Sequence, residues 1–267
     1  MILAVPNSVL PSRKRRMIAL GFLGTFATLV AAAMYLNVSP ENIVSQFHFV
    51  VELAQDMLPP NLKLLWQQAG LIEALAETLS MAFLGTVAGG LSALVLALLA
   101  AVNTSPGGFV RTIVRAALAL ERALPNFIVM LVLLIAVGIG PFAGMLALTI
   151  GTIGMFGKLF ADTIEQADKS VTESVQSVGS TRLQLIRYAI LPQLAPSFIA
   201  NLFYAFDFNL RAAIPLGFFG GGGIGLQLEF AERLLRYKDM LAYTLIIVIL
   251  ITGMERISDW VRRRLIT

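Results

Sequence analysis

Asp207 and Arg211 stand four residues apart in an otherwise apolar stretch, a spacing that puts both side chains on one face of a helix. An ionised pair within hydrocarbon must face protein or a water-filled cavity, so it marks a candidate solute pathway. Arginine there suits an oxyanion, because its planar fork makes bidentate, charge-assisted hydrogen bonds. Asn209 lies between the two, off their shared face, with an amide that can donate to a further oxygen. The competing reading is a structural salt bridge that pins this helix to a neighbour. Glu121 and Arg122, followed by Pro125, supply a second candidate, a gate or kink in a membrane helix. Snorkelling at a helix end explains Arg122 as well as a gate does, and explains Lys158 better.

Nucleotide chemistry is not expected. The stretch Gly151 to Lys158 superficially suggests a phosphate loop, but Thr152 stands where the first glycine is needed and Leu159 where the magnesium-binding hydroxyl is needed. Gly220 to Gly223, with Gly217 and Gly225, reads as a compact re-entrant turn whose free amides can face an anion. With no cysteine and one histidine, no thiolate site or multi-histidine metal cluster can form. No catalytic, cofactor-binding or metal-binding residue is assigned, and the chain is read as a non-enzyme.

The elements that must position these residues are membrane helices. Of 267 residues, 57% are hydrophobic and 13% charged, with a mean hydropathy of +0.81. Soluble domains carry about 45 to 50% apolar and about 25% charged residues, so a soluble globular or disordered chain is excluded. Predominantly apolar runs of roughly 20 residues locate spans. They predict helices over Met17 to Leu36, Thr78 to Val102, Ala195 to Pro215 and Asp239 to Ile257. A helical hairpin is expected around Gly138 to Pro141, its first arm starting near Ile113 and its second running from Phe142 to Ala161. Six crossings place both termini on one side. The clusters Arg13 to Arg16, Arg111 to Arg122, Lys158 to Arg187 and Arg256 to Arg264 all fall on that side, which makes both termini cytoplasmic. The basic charge therefore reports topology rather than nucleic acid. Ile43 to Leu58 is amphipathic and expected on the outer surface. Residues 1–70 form an N-terminal part and 71–267 the core, with the long inner loop at about 162–194. On the outer side, Glu229 with Arg233 and Glu232 with Arg236 read as a solvated helix face.

In that inner loop, Ser170-Val171-Thr172-Glu173 has the pattern of a capping box, which predicts a helix over Val171 to Val178 that stops at Gly179. A short capped helix projecting from a membrane protein serves either to dock a partner or merely to close the loop.

Glu173, Gly179, Leu191 and Pro192 match the coupling loop of ABC-importer permeases, with Ser174 and Val175 replacing its two alanines. Further motifs agree: Glu77-Thr78-Leu79-Ser80-Met81-Ala82, Gly138 to Gly144, Gly157 to Ala161, and Asp207 to Ala213 leading into Gly221 to Gly225. From about Leu58 onward the chain resembles the phosphonate-importer permease family. The resemblance implies an all-α, six-span, type I ABC importer permease fold like that of the methionine importers, in the cytoplasmic membrane of a prokaryote. It implies two copies of this chain, two cytoplasmic ATPase subunits carrying ATP and magnesium, and an extracytoplasmic binding protein that delivers a phosphonate, phosphate or phosphite. Glu173, Ser174, Val175, Val178, Gly179 and Pro192 would contact the ATPase, and Arg211, Asn209, Asp207 and Glu121 would line the pathway.

Overall fold

A computed structural model describes residues 12–36, 40–67 and 70–266. The expected cytoplasmic residues 1–11, and Asn37 at the start of the outer segment, lie outside the described residues. Contacts divide the chain into two compact units, Met1–Asp56 and Met57–Thr267. In the first, α1 (Ser12–Tyr35) is apolar around its circumference and long enough to span a bilayer. It is followed by α2 (Pro40–Met57), on which His48 meets Glu52 at 2.9 Å.

Among its described residues the second unit is built of helices joined by short turns, with no strand. After the single turn α3 (Leu64–Gln67), the helices α4 (Leu71–Ala100) and α7 (Pro141–Glu165) form the most extensive pair. Lipid gives helices no hydrophobic drive to associate, so close packing and hydrogen bonds must hold them together. Small residues make this possible: a Cβ on Gly85 would come within 2.8 Å of the Leu148 Cβ, and one on Gly89 within 2.7 Å of the Thr149 carbonyl oxygen. Phe156, Phe160, Leu118, Ile164 and Ile190 fill one end of the unit, and Leu71, Ile224 and Tyr243 belong to a separate cluster.

The first arm of the expected hairpin is not one helix. It is α5 (Gly108–Ala123) and α6 (Asn126–Val137), bent by 95° across Leu124 and Pro125. Pro125 has no N–H to continue the ladder and drives Leu124 into extended geometry (φ −91°, ψ 124°). At 12 residues, α6 is about 18 Å long, too short to cross a core of about 30 Å by itself. The described residues thus hold five helices long and apolar enough to span, or six if the bent pair counts as one. The turn into α7 forms as expected, with Gly138 and Gly140 at positive φ and Pro141 opening the helix.

The fifth span begins well before Ala195. The short α9 (Arg182–Leu185) runs through a π-helical stretch, Ile186–Ile190, into α10 (Leu191–Leu216). The ladder slips to i→i−5 just before Pro192, which has no N–H to give. A kink at Gly217–Gly221, where Phe219 (φ −94°, ψ 20°) and Gly220 (φ 105°, ψ 4°) leave helical geometry, leads to α11 (Gly223–Arg233), and α12 (Tyr237–Ile266) closes the unit.

Candidate functional site

Asp207, Asn209 and Arg211 all project from α10, but to different partners. Asp207 is 8% exposed and accepts a hydrogen bond from Ser258 of α12 at 2.8 Å. Arg211 forms an ion pair with Glu255, also on α12. The expected Asp207–Arg211 pair does not form. Each side chain has a partner one helix away, because Glu255 and Ser258, three residues apart on α12, present a face that matches the four-residue spacing on α10. Sequence reasoning missed Glu255, although a carboxylate three residues before a serine in the last span was the available signal.

Asn209, 2% exposed, faces the opposite way. Its amide nitrogen donates to the hydroxyls of Thr86 on α4 (2.9 Å) and Thr152 on α7 (2.8 Å). Those hydroxyls in turn donate to the carbonyls of Ala82 (2.6 Å) and Leu148 (2.7 Å). Both amide hydrogens are therefore committed to the protein, which corrects the expectation that Asn209 is available to a solute oxygen. Glu121 lies elsewhere again, its carboxylate against the backbone of Gly154 on α7, where a Cβ would collide with it. Asn126 and Leu118 occupy the neighbouring glycine notches at Gly151 and Gly157, so the stretch that resembled a phosphate loop is a packing groove for α5 and α6. Among the described residues, no hydrogen bond or ion pair joins any two of the four pathway candidates.

The glycine turn is also occupied from within. Glu77 accepts from the Gly223 N–H at 2.8 Å, and Thr78 accepts from the Ile224 N–H at 2.9 Å, so a protein carboxylate caps the N-terminus of α11. Gly140 donates to the Gly220 carbonyl at 3.0 Å, tying the hairpin turn to the same segment. Gly222 sits at φ +80°, a conformation that favours glycine. The Gly223 and Ile224 amides are therefore committed within the protein, and the run forms the compact turn that the sequence favoured. On α11 the Glu229–Arg233 pair forms, but Glu229 is buried rather than solvated. Glu232 and Arg236 form no ion pair, because the helix ends at Arg233 and Leu235 turns to φ 54°.

The inner loop contains the expected short helix, α8 (Lys169–Ser177). Its cap is Asp168 rather than Ser170: the Asp168 carboxylate accepts from the Ser170 N–H at 2.8 Å, and a carboxylate at that position also complements the helix dipole. The capping box of this region is Thr181 with Gln184, at the start of α9. Gly179 adopts φ +77° beyond the helix end, as the stop residue should. The Asp168 N–H donates to Gln193 at 2.9 Å, which ties the start of α8 to α10 directly after Pro192. Val175 turns toward the aromatic cluster of Phe156 and Phe160, whereas Glu173, Ser174, Val178, Gly179 and Pro192 are exposed. Val178 is 82% exposed, an uncovered apolar side chain at the tip of the loop.

Residues 93–267 match the family described as binding-protein-dependent transport system inner membrane component. The chain belongs to that family. It is 31% identical over 266 residues to the phosphite transport system permease protein PtxC of Stutzerimonas stutzeri, covering 95% of this chain and 96% of the relative. It is 39% identical over 240 residues to the phosphate-import permease protein PhnE of Mycolicibacterium smegmatis, covering 90% of this chain and 44% of that longer relative. Among solved structures, a chain of the MetNI methionine ABC transporter superposes with a TM-score of 0.63 at 19% identity, over 73% of this chain and 95% of the other. A chain of a bacterial ABC transporter that imports alginate superposes at 0.64 with 17% identity, over 94% and 99%. The fold is that of the type I ABC importer permeases, as the motifs implied, and the chain is a multi-pass transport protein of a prokaryotic membrane.

Proposed function

We propose that this chain is the permease subunit of an ATP-driven importer for phosphonates or related phosphorus oxyanions, phosphate and phosphite among them. The observation that carries the reading is the match to a phosphite permease along nearly the whole of both chains. In this reading two copies form the pathway, an extracytoplasmic binding protein delivers the solute, and two ATPase subunits bind ATP and magnesium on the cytoplasmic side, where both termini lie. Helix α8 is the docking element. Its tip residues Glu173, Ser174, Val178 and Gly179 meet the ATPase, and Val175, Gln193 and Pro192 pass the motion to α10.

Arg211 is the pathway residue, because it is half-exposed and its carboxylate partner can be exchanged for an oxyanion. Asp207, Asn209 and Glu121 act behind it by setting the packing of α10 and α5. The test is uptake of radiolabelled phosphite or methylphosphonate by cells that depend on this chain. Gly179→Pro should abolish uptake and weaken retention of the ATPase, and Arg211→Leu should abolish uptake with the complex intact. Normal uptake by both variants would overturn the reading.

A further inference from the structure

Where α5 leaves its bend at Pro125 and runs along the half of α7 nearest α8, a cleft of about 540 Å³ opens beside Ala100 at the end of α4. Its formation follows from the packing groove described above. Leu118 and Glu121 seat α5 on Gly157 and Gly154, and the residues on the adjacent face of α5 then look across at α7. Arg115, Arg122, Lys158 and Asp162 supply its polar lining, and Leu118 and Ala119 part of an apolar wall.

The cations are not equivalent. Arg115 is a fixed strut: its Nε donates to the Ala100 carbonyl at 2.8 Å, and its guanidinium pairs with Glu165, which also accepts from the Val102 N–H at 2.7 Å. Arg122 and Lys158 form no ion pair among the described residues. Asp162 in the lining and Glu121, whose carboxylate acts on Arg122 from the same helix, are the acidic groups beside them. A guanidinium and an ammonium without an ion-pair partner, beside an apolar wall, favour an amphiphilic anion, since both can make charge-assisted hydrogen bonds to its oxygens.

We propose that this cleft binds a phosphate group, with Arg122 and Lys158 on its oxygens and the rest of the ligand along Leu118 and Ala119. A basic pocket between membrane helices has the character of a phospholipid headgroup site. A free phosphate ion carries the same chemistry, so the two sources are separated by experiment. The proposal does not depend on which solute the chain transports.

The test uses the complex purified from native membranes through a tag on this chain and placed in phosphatidylcholine nanodiscs with or without phosphatidylglycerol. Bound lipid is read by native mass spectrometry, and radiolabelled inorganic phosphate by equilibrium dialysis. The lipid source is assigned if phosphatidylglycerol is retained over phosphatidylcholine and Arg122→Gln/Lys158→Gln lowers that retention on the order of tenfold. Arg111→Gln, on the same helix but outside the cleft, should leave it unchanged. The free-ion source is assigned if phosphate binds in pure phosphatidylcholine discs and the same double variant abolishes it. If that variant does not assemble, Arg122→Lys/Lys158→Arg, which keeps the charge, should bind as the native chain does, and Arg122→Gln alone should bind less. A native complex that prefers neither anion, or a double variant that binds as the native chain does, overturns the proposal.

Discussion

One face of α10 holds a neutral node, in which Asn209 gives both amide hydrogens to threonines that are themselves bonded to their own helices. The other face, two residues to either side, sends formal charge to α12: Asp207 to Ser258, and Arg211 to Glu255. The neutral node is dry and sits where glycines bring α4 and α7 together, so it has no alternative partner and fixes how three helices meet. In the charged seam Arg211 keeps half of its side chain in contact with the surroundings, so its partner can change. A buried polar residue and a charged one on the same helix thus do different work, the first holding geometry and the second, in the proposed function, serving the solute.

Five substitutions, one of them combined with another, test this contrast, in descending order of effect. Gly89→Val should be the most severe: its side chain would drive into Thr152 and the Thr149 carbonyl beside the node, destabilising the fold on the order of 3 kcal/mol and abolishing detergent-stable assembly. Asn209→Ala removes two buried hydrogen bonds and should lower stability by about 2 kcal/mol in thermal unfolding of the purified complex, with solute affinity unchanged. Arg211→Leu should lose only roughly 1 kcal/mol of stability, because solvent screens the half-exposed pair, yet abolish uptake. Adding Glu255→Leu should restore the melting temperature without restoring transport, and a double variant that transports would place the arginine in a structural role alone. Glu232→Gln belongs to neither seam and should change stability by less than about 0.5 kcal/mol in the same unfolding assay.

How much of this was legible beforehand depends on whether the information is local. The spans were readable because hydrocarbon excludes charge, and Met17 to Leu36 or Thr78 to Val102 announces itself within one window. Gly179 as a helix stop and the turn at Gly138 to Pro141 were readable for the same reason, since positive φ is written into a single residue. The cap of α8 went to Asp168 because two residues only two positions apart, Asp168 and Ser170, can both cap, and the carboxylate won. The 95° bend depends on Pro125 but also on the glycine groove of α7, which lies tens of residues away. The partner of Asp207 lies 51 residues away, those of Asn209 lie 57 and 123 residues away, and that of Arg211 is Glu255 on α12; helix periodicity alone cannot choose among such neighbours. The spacing rule predicted a shared face for Asp207 and Arg211, and they do share α12. It could not show that α12 would offer each of them a better partner than the other.

The most direct test of the central claim is to purify the tagged chain from its native membranes, identify its companions by mass spectrometry, and measure ATP hydrolysis with and without phosphite or methylphosphonate. An ATPase subunit and a solute-binding protein should accompany the chain, with hydrolysis stimulated by the phosphorus oxyanion and not by methionine. A chain that comes alone under conditions that preserve other membrane complexes, or a complex indifferent to every phosphorus oxyanion tried, would contradict the account.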